Sequence, residues 1–310
     1  MAIQRESKVR HLTTIEEAWR HQSIITNGIR MHYVMQGEGP LIVLLHGFPE
    51  FWYSWRYQIP FLAEHGYTVV APDLRGYNET DKPRKGYDIP TLLLDIKGLI
   101  EGLGQQRAII VGHDWGGVLA WAFAMSYPAM TESLIVMNAP HPAAMRREMG
   151  TLKQLRKSWY VFFFQLPWLP EYILGRNNAR EIAKMLRGAA LQKSAFPPAV
   201  TFRYRKAMSK PGAIHAAISY YRQLFLHLPR SFKKYETQIQ TPTLLIWGEQ
   251  DIALGIELTT GLERWVNDIQ IKRVANSGHW VQQEQPEVVN QFMCDFLQAT
   301  LPLQKERIEP

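Results

Sequence analysis

Eight short apolar or β-branched runs bounded by turn residues recur along this 310-residue chain, and they constrain its fold more than any other feature. They are SIITN (23–27), RMHYVM (30–35), LIVLL (41–45), YTVVA (67–71), AIIV (108–111), SLIVM (133–137), PTLLIW (242–247) and IQIKRV (269–274). The first two flank Asn27-Gly28, a dipeptide suited to a two-residue hairpin turn. Beyond them, longer stretches with helical apolar spacing separate successive runs. This alternation predicts a mostly parallel eight-stranded sheet with helices on both faces, and ligands then bind beyond the carboxyl ends of the strands. From about 141 to 235 no strand-like run occurs, while helical spacing and aromatics do. The expected organisation is therefore a core in two parts, residues 1–140 and 236–310, with a helical insertion over 141–235 between strands six and seven.

A chain with 46% hydrophobic and 12% aromatic residues can bury a large core. Its single cysteine, Cys294, lies in the apolar pattern VVNQFMCDFL, excludes an intramolecular disulfide and reads as a small core residue. The first residues, MAIQRESKVRHLTTIEE, show no apolar signal region, and no run of 18 apolar residues occurs anywhere. A soluble, cytoplasmic protein is expected. The most apolar segment, WYVFFFQLPWLPEYIL (159–174), is interrupted by Pro167 and Pro170 and is expected to be a buried or cleft-lining helix.

The chemistry starts at VGHDWGG (111–117), which has the frame of the G-x-S-x-G turn with Asp114 in the serine's place. The following pattern VLAWAFAMSYP is helical, so Asp114 sits between a strand end and a helix N-terminus, where free N–H groups favour an ionised carboxylate. A serine attacking saturated carbon would leave an ether that water cannot readily cleave. A carboxylate leaves an ester, which an oxyanion site and activated water can hydrolyse. Epoxides or alkyl halides are the substrates this favours. Taken alone, Asp114 could equally be a helix cap. A histidine base and an acid to orient it should follow in chain order. WGEQDIAL places Asp251 just past one strand, with Glu249 as a rival two residues away, and ANSGHWVQQEQP places His279 just past the next. The loop HGFPEFWYSW after LIVLL supplies a second oxyanion donor from Phe48, beside the N–H of Trp115, with Pro49 fixing the loop's path.

HGFPEFWYSWRYQIP, DLRGYNETDKP, GHDWGG, the Asp251 loop and SGHW together resemble the epoxide hydrolases of the α/β-hydrolase fold. The resemblance runs from about residue 20 to 300. It implies the α/β-hydrolase fold with the insertion acting as a helical cap, and it implies two cap tyrosines that hold the epoxide oxygen. Tyr160 in WYVFFFQLP matches the first and Tyr221 in YYRQ the second. The match at YYRQ departs from the family's W-Y-R-N, so Tyr220 remains a rival. Asn78 stands where the family often has glycine in R-G-Y-G, and asparagine tolerates a left-handed backbone.

Chemistry supports the tyrosines independently, because epoxide opening makes an alkoxide that a phenol can protonate. Asp114 is the expected nucleophile, His279 with Asp251 the water-activating pair, Phe48 and Trp115 the oxyanion donors, and His46, Pro49, Trp52 and Trp280 further pocket residues. No metal or cofactor is implied, since no H-E-x-x-H or cysteine cluster occurs. A dehalogenase is the enzyme alternative, and a non-catalytic ligand-binding protein of the same fold is the other. Oligomeric state is open between monomer and homodimer. Residues 141–235 carry 18 Lys and Arg against three acids, a balance of +15 in a chain of net charge +7. That basic surface either aids solubility or draws anionic amphiphiles or a membrane surface. Nucleic acid is not expected, because no recognised binding motif accompanies the charge.

Overall fold

The computed structural model describes residues 19–234 and 237–300, so the N-terminal residues read above and the insertion's expected end at 235 lie outside the described residues. All eight strands are present: β1 (Arg20–Thr26), β2 (Ile29–Gln36), β3 (Leu41–Leu45), β4 (Thr68–Pro72), β5 (Ala108–His113), β6 (Thr131–Met137), β7 (Thr243–Gly248) and β8 (Ile269–Val274). They form one sheet in the order β1-β2-β4-β3-β5-β6-β7-β8. β1 and β2 pair antiparallel across the Asn27-Gly28 turn, β2 pairs antiparallel with β4, and every later pairing is parallel. Asn27 and Gly28 both take positive φ, as that tight turn requires.

Burial explains why the strand runs were so readable. Every residue of β3, β5 and β7 is buried, because helices cover both faces of a parallel sheet. The edge strands β1 and β8 instead mix buried with exposed positions. Helices α1 (Gln58–Glu64), α2 (Ile89–Gly102), α3 (Trp115–Ser126), α10 (Val281–Glu284) and α11 (Pro286–Thr300) pack around the sheet. α3 is buried on almost every side against β5 and β6, which its apolar sequence permits. Cys294 is a buried residue of α11, as read from its apolar setting.

Between β6 and β7 the described residues form helices and no further strand: α4 (Pro142–Glu148), α5 (Leu152–Lys157), α6 (Trp159–Phe163), α7 (Leu169–Ala189), α8 (Pro198–Met208), α9 (Ala213–Lys234) and a short 3-10 turn. α7 breaks where Asn177, Asn178 and Ala179 take positive φ. Pro167 lies in the turn between α6 and α7 and Pro170 in the first turn of α7, so the aromatic 159–174 segment is two helices joined by an exposed turn and not one buried helix. Among the described residues no helix is long and apolar enough to cross a membrane.

The strand order fixes where a site can form. From β3 the chain crosses outward to β4, then returns to place β5 on β3's other side. Side by side at this switch point, Leu45 pairs with Gly112, so the loop after β3 and the turn after β5 emerge together.

Candidate active site

Asp114 stands alone at the tip of the β5–α3 turn with φ 51° and ψ −119°, a sparsely populated conformation for a residue with a side chain. Close backbone approach holds it there. A Cβ on Gly112 would lie 2.2 Å from the carbonyl oxygen of Gly116, and one on Gly116 would lie 2.0 Å from that of Leu45. Only glycines let β5, α3 and β3 converge so tightly. Asp114's side chain caps no helix N–H; its Oδ1 instead accepts from the Phe48 backbone N–H at 2.7 Å. Trp115 opens α3, where first-turn N–H groups lack an i−4 carbonyl.

Opposite this carboxylate lies His279, with Nε2 3.5 Å from Asp114 Oδ2 and Nδ1 2.7 Å from Asp251 Oδ2. Asp251, and not the exposed Glu249, therefore partners the imidazole. The remaining bonds to Asp251 explain its fixed orientation: Ala253 and Leu254 N–H groups donate to Oδ1 at 2.7 and 3.0 Å, and Asn138 Nδ2 donates to Oδ2 at 2.8 Å. Burial alone would raise the Asp251 carboxyl, but His279, Asn138 and the Leu254 N–H hold it below its ordinary value. Asp114 follows the same logic: burial raises it, and His279, the His113 ring and the Phe48 N–H outweigh that. For His279 burial disfavours the charged form, yet Asp251 and Asp114 raise it well above the usual imidazole value.

Above the carboxylate is a cavity that opens to solvent. Asp114, Trp115, Tyr160 and Tyr221 line it together with apolar residues such as Ile89, Val118, Met145, Leu224, Phe225 and Leu254. Tyr160 comes from α6 and Tyr221 from α9, with their rings 5.9 Å apart and nearly perpendicular. Burial and then the Asp114 charge push both phenols well above their ordinary range, so each keeps its proton. Tyr220 points elsewhere. Its hydroxyl donates to the Arg75 carbonyl at 2.8 Å in the core, and it does not line the cavity.

Four expected pocket residues are corrected by this geometry. His46, Pro49, Trp52 and Trp280 are absent from the cavity's lining. His46 is fully buried, with Nδ1 on the Gly47 carbonyl and Nε2 accepting from the Leu74 N–H, so both ring nitrogens hold backbone. Trp52 turns away against Trp19 and His21, and Trp280 packs edge-on between Phe196 and His279. Pro49 lies buried in the β3 loop behind Phe48. Adjacency in sequence to the site misled, because side chains along a tight loop leave in different directions.

Four residues that support the site went unremarked in the sequence. Glu50 is fully buried and accepts from the Gly47 N–H, His113 Nδ1 and the amides of Gln282 and Gln283, tying the β3 loop to the His279 segment. His113 Nε2 lies 2.8 Å from the His279 carbonyl oxygen. Asn138, at φ 39°, bridges Asp251 and the Gly248 N–H. Glu284 accepts from Gly278 and Trp280 on either side of His279, and from Leu191 and Gln192 in the insertion. Glu50, His113 and Glu284 all fall inside quoted motifs, and their positions there were the available signal.

Comparison with known proteins agrees with this architecture. Residues 40–286 match the family model described as the alpha/beta hydrolase fold. The chain is 40% identical over 282 residues to human "Epoxide hydrolase 4", covering 87% of this chain and 76% of that protein. It is 41% identical over 281 residues to the Bacillus subtilis "AB hydrolase superfamily protein YfhM", covering 89% and 97%. Among solved structures, an epoxide hydrolase of Bacillus megaterium in complex with an inhibitor superposes with a TM-score of 0.81 at 33% identity, covering 89% of this chain and 99% of that one. Fold, order of motifs and relatives converge: the chain belongs to the epoxide hydrolase family of the α/β-hydrolase fold.

Proposed function

We propose that this enzyme converts small-molecule epoxides to vicinal diols through an ester on Asp114. The observation that carries the reading is the arrangement about one apolar cavity: an ionised Asp114 on its floor, two protonated phenols above, and His279 behind at 3.5 Å. In the first step Asp114 Oδ2 attacks a ring carbon, the carbon–oxygen bond of the epoxide breaks, and Tyr160 and Tyr221 hydrogen-bond the departing oxygen while one gives it a proton. Ester formation removes the Asp114 charge that helped keep His279 protonated. His279 then loses a proton, which restores the phenol. In the second step neutral His279 Nε2 takes a proton from water as the water oxygen attacks Asp114 Cγ. The N–H groups of Phe48 and Trp115 bear the oxyanion, and collapse expels the diol and returns the carboxylate beside imidazolium. Asp251 orients the ring and stabilises its charged form.

Helices α4 to α9 serve as the cap in this reading, since α6 and α9 bring both phenols over the nucleophile and exclude water from the alkoxide. Supplying matched epoxide and alkyl halide substrates tests it against dehalogenation. Diol release without halide release, abolished by Asp114→Asn, is expected; halide release with no diol from any epoxide would reject the reading.

A further inference from the structure

The insertion presents apolar side chains to solvent that a core would normally hide. Trp159 is 64% exposed, Trp168 71% and Leu226 68%, with Leu155, Phe162 and Leu166 exposed among them. Five of these six lie on the consecutive stretch α5, α6 and the turn into α7, and Leu226 lies on α9 beside Phe225. Contiguous exposed apolar surface of this kind marks an interaction site.

Two observations say what covers it. First, the patch is continuous with the cavity. Phe162 and Phe225 line the cavity, meet edge-to-face at 6.0 Å and are themselves partly exposed, so they form its rim. Second, the surrounding segment is strongly cationic. Its only three acids, Glu148, Glu171 and Glu181, already pair with Arg147, Arg222 and Lys184, leaving a large positive excess that includes exposed Arg156. A second copy of the chain meeting it through the same face would bring the same charge and be repelled. Exposed indoles with leucines on a segment rich in Arg and Lys match the headgroup zone of an anionic bilayer, where indoles settle at the interface and cations meet lipid charge.

We propose that this face docks on anionic lipid bilayers, with the Phe162–Phe225 rim of the cavity turned toward the lipid. Docking is independent of the chemistry at Asp114, so failure of one leaves the other standing. The test is flotation of the full chain with vesicles of phosphatidylcholine alone or mixed with phosphatidylglycerol. At about 0.1 M salt, binding to the mixed vesicles is expected to be at least about tenfold tighter than to the neutral ones, and to weaken at about 0.5 M as screening shortens. The double variant Trp159→Ser, Trp168→Ser, whose residues do not line the cavity, is expected to lose at least about tenfold in vesicle binding while turning over a water-soluble epoxide normally. Equal binding to both vesicle types, an unchanged double variant, or self-association with no vesicle binding would overturn the proposal.

Discussion

Replacing Glu284 with Gln should separate the two halves of the reaction. Glu284 is buried at the end of α10, the single turn that follows the His279 loop. Its Oε2 accepts from the N–H groups of Gly278 at 3.1 Å and of Leu191 and Gln192 at 2.9 Å, and its Oε1 accepts from Trp280 at 3.3 Å. Hydrogen bonds to a charged group contribute about 1.5–3 kcal/mol each, and neutral ones about 0.5–1.5 kcal/mol. Glutamine keeps the volume but removes the charge, and turns an NH2 group toward a donor on one side. The loss is roughly 1 kcal/mol per bond, less at exposed Leu191 where water substitutes, giving roughly 2–4 kcal/mol in all. In a chain of this length about 2 °C of melting temperature accompanies each kcal/mol, so Tm should fall by roughly 4–8 °C. The loosened 278–280 loop displaces His279 but leaves Asp114, the Phe48 N–H and the phenols in place. Misplacing the base should slow ester hydrolysis about 10–100-fold. Rapid-quench mass spectrometry should therefore show alkylated enzyme forming at the wild-type rate and then accumulating. A variant with wild-type Tm and wild-type hydrolysis would refute the role given to Glu284.

Other substitutions probe the remaining assignments. His279→Ala should become alkylated and stay so, showing one added substrate mass, while Asp114→Ala should show none; a histidine variant that never alkylates would place His279 in the first step. Tyr160→Phe and Tyr221→Phe should each cost about 10–1000-fold in alkylation rate. Tyr220→Phe should leave that rate intact and instead lower stability by about 1 kcal/mol, because it loses the bond to the Arg75 carbonyl; a larger rate effect from Tyr220 than from Tyr221 would exchange their roles. Asp114→Asn removes one of the two carboxylates that raise His279, so the imidazole titration followed by NMR should move to lower pH, and an unmoved midpoint would contradict the electrostatic coupling. Because the base acts when neutral, ester hydrolysis should fail as pH drops through the His279 pKa of the alkylated enzyme, and a hydrolysis rate that rises on acidification would count against it.

What the sequence revealed and what it hid divide along a physical line. Strands β3, β5 and β7 were legible because burial on both faces demands unbroken apolar runs. Asp114 was legible because the glycines that permit its turn are its own neighbours, and Asn78 kept its left-handed backbone, φ 37°, where glycine was expected. The supporting network was not. Glu50 meets His113 across 63 positions, Glu284 meets Leu191 across 93, and Asn138 meets Asp251 across 113. No local pattern records such pairings. Cavity residues such as Ile89, Leu224 and Leu254 carried no signal either, since an apolar side chain facing a cavity reads like one facing a core. The aromatic 159–174 stretch was read as a buried or cleft-lining helix, and the structure splits it: Tyr160, Val161 and Phe162 line the cleft while Trp159, Trp168 and Tyr172 face solvent.

The ester on Asp114 is the centre of the account, and isotope transfer tests it most directly. A single turnover in heavy-oxygen water, with enzyme in excess over an epoxide, should place the label in the peptide that carries Asp114, because water attacks Cγ and one carboxylate oxygen leaves with the diol. Label found only in the diol, with the Asp114 peptide unchanged, would mean that water opens the epoxide directly and would contradict the covalent mechanism.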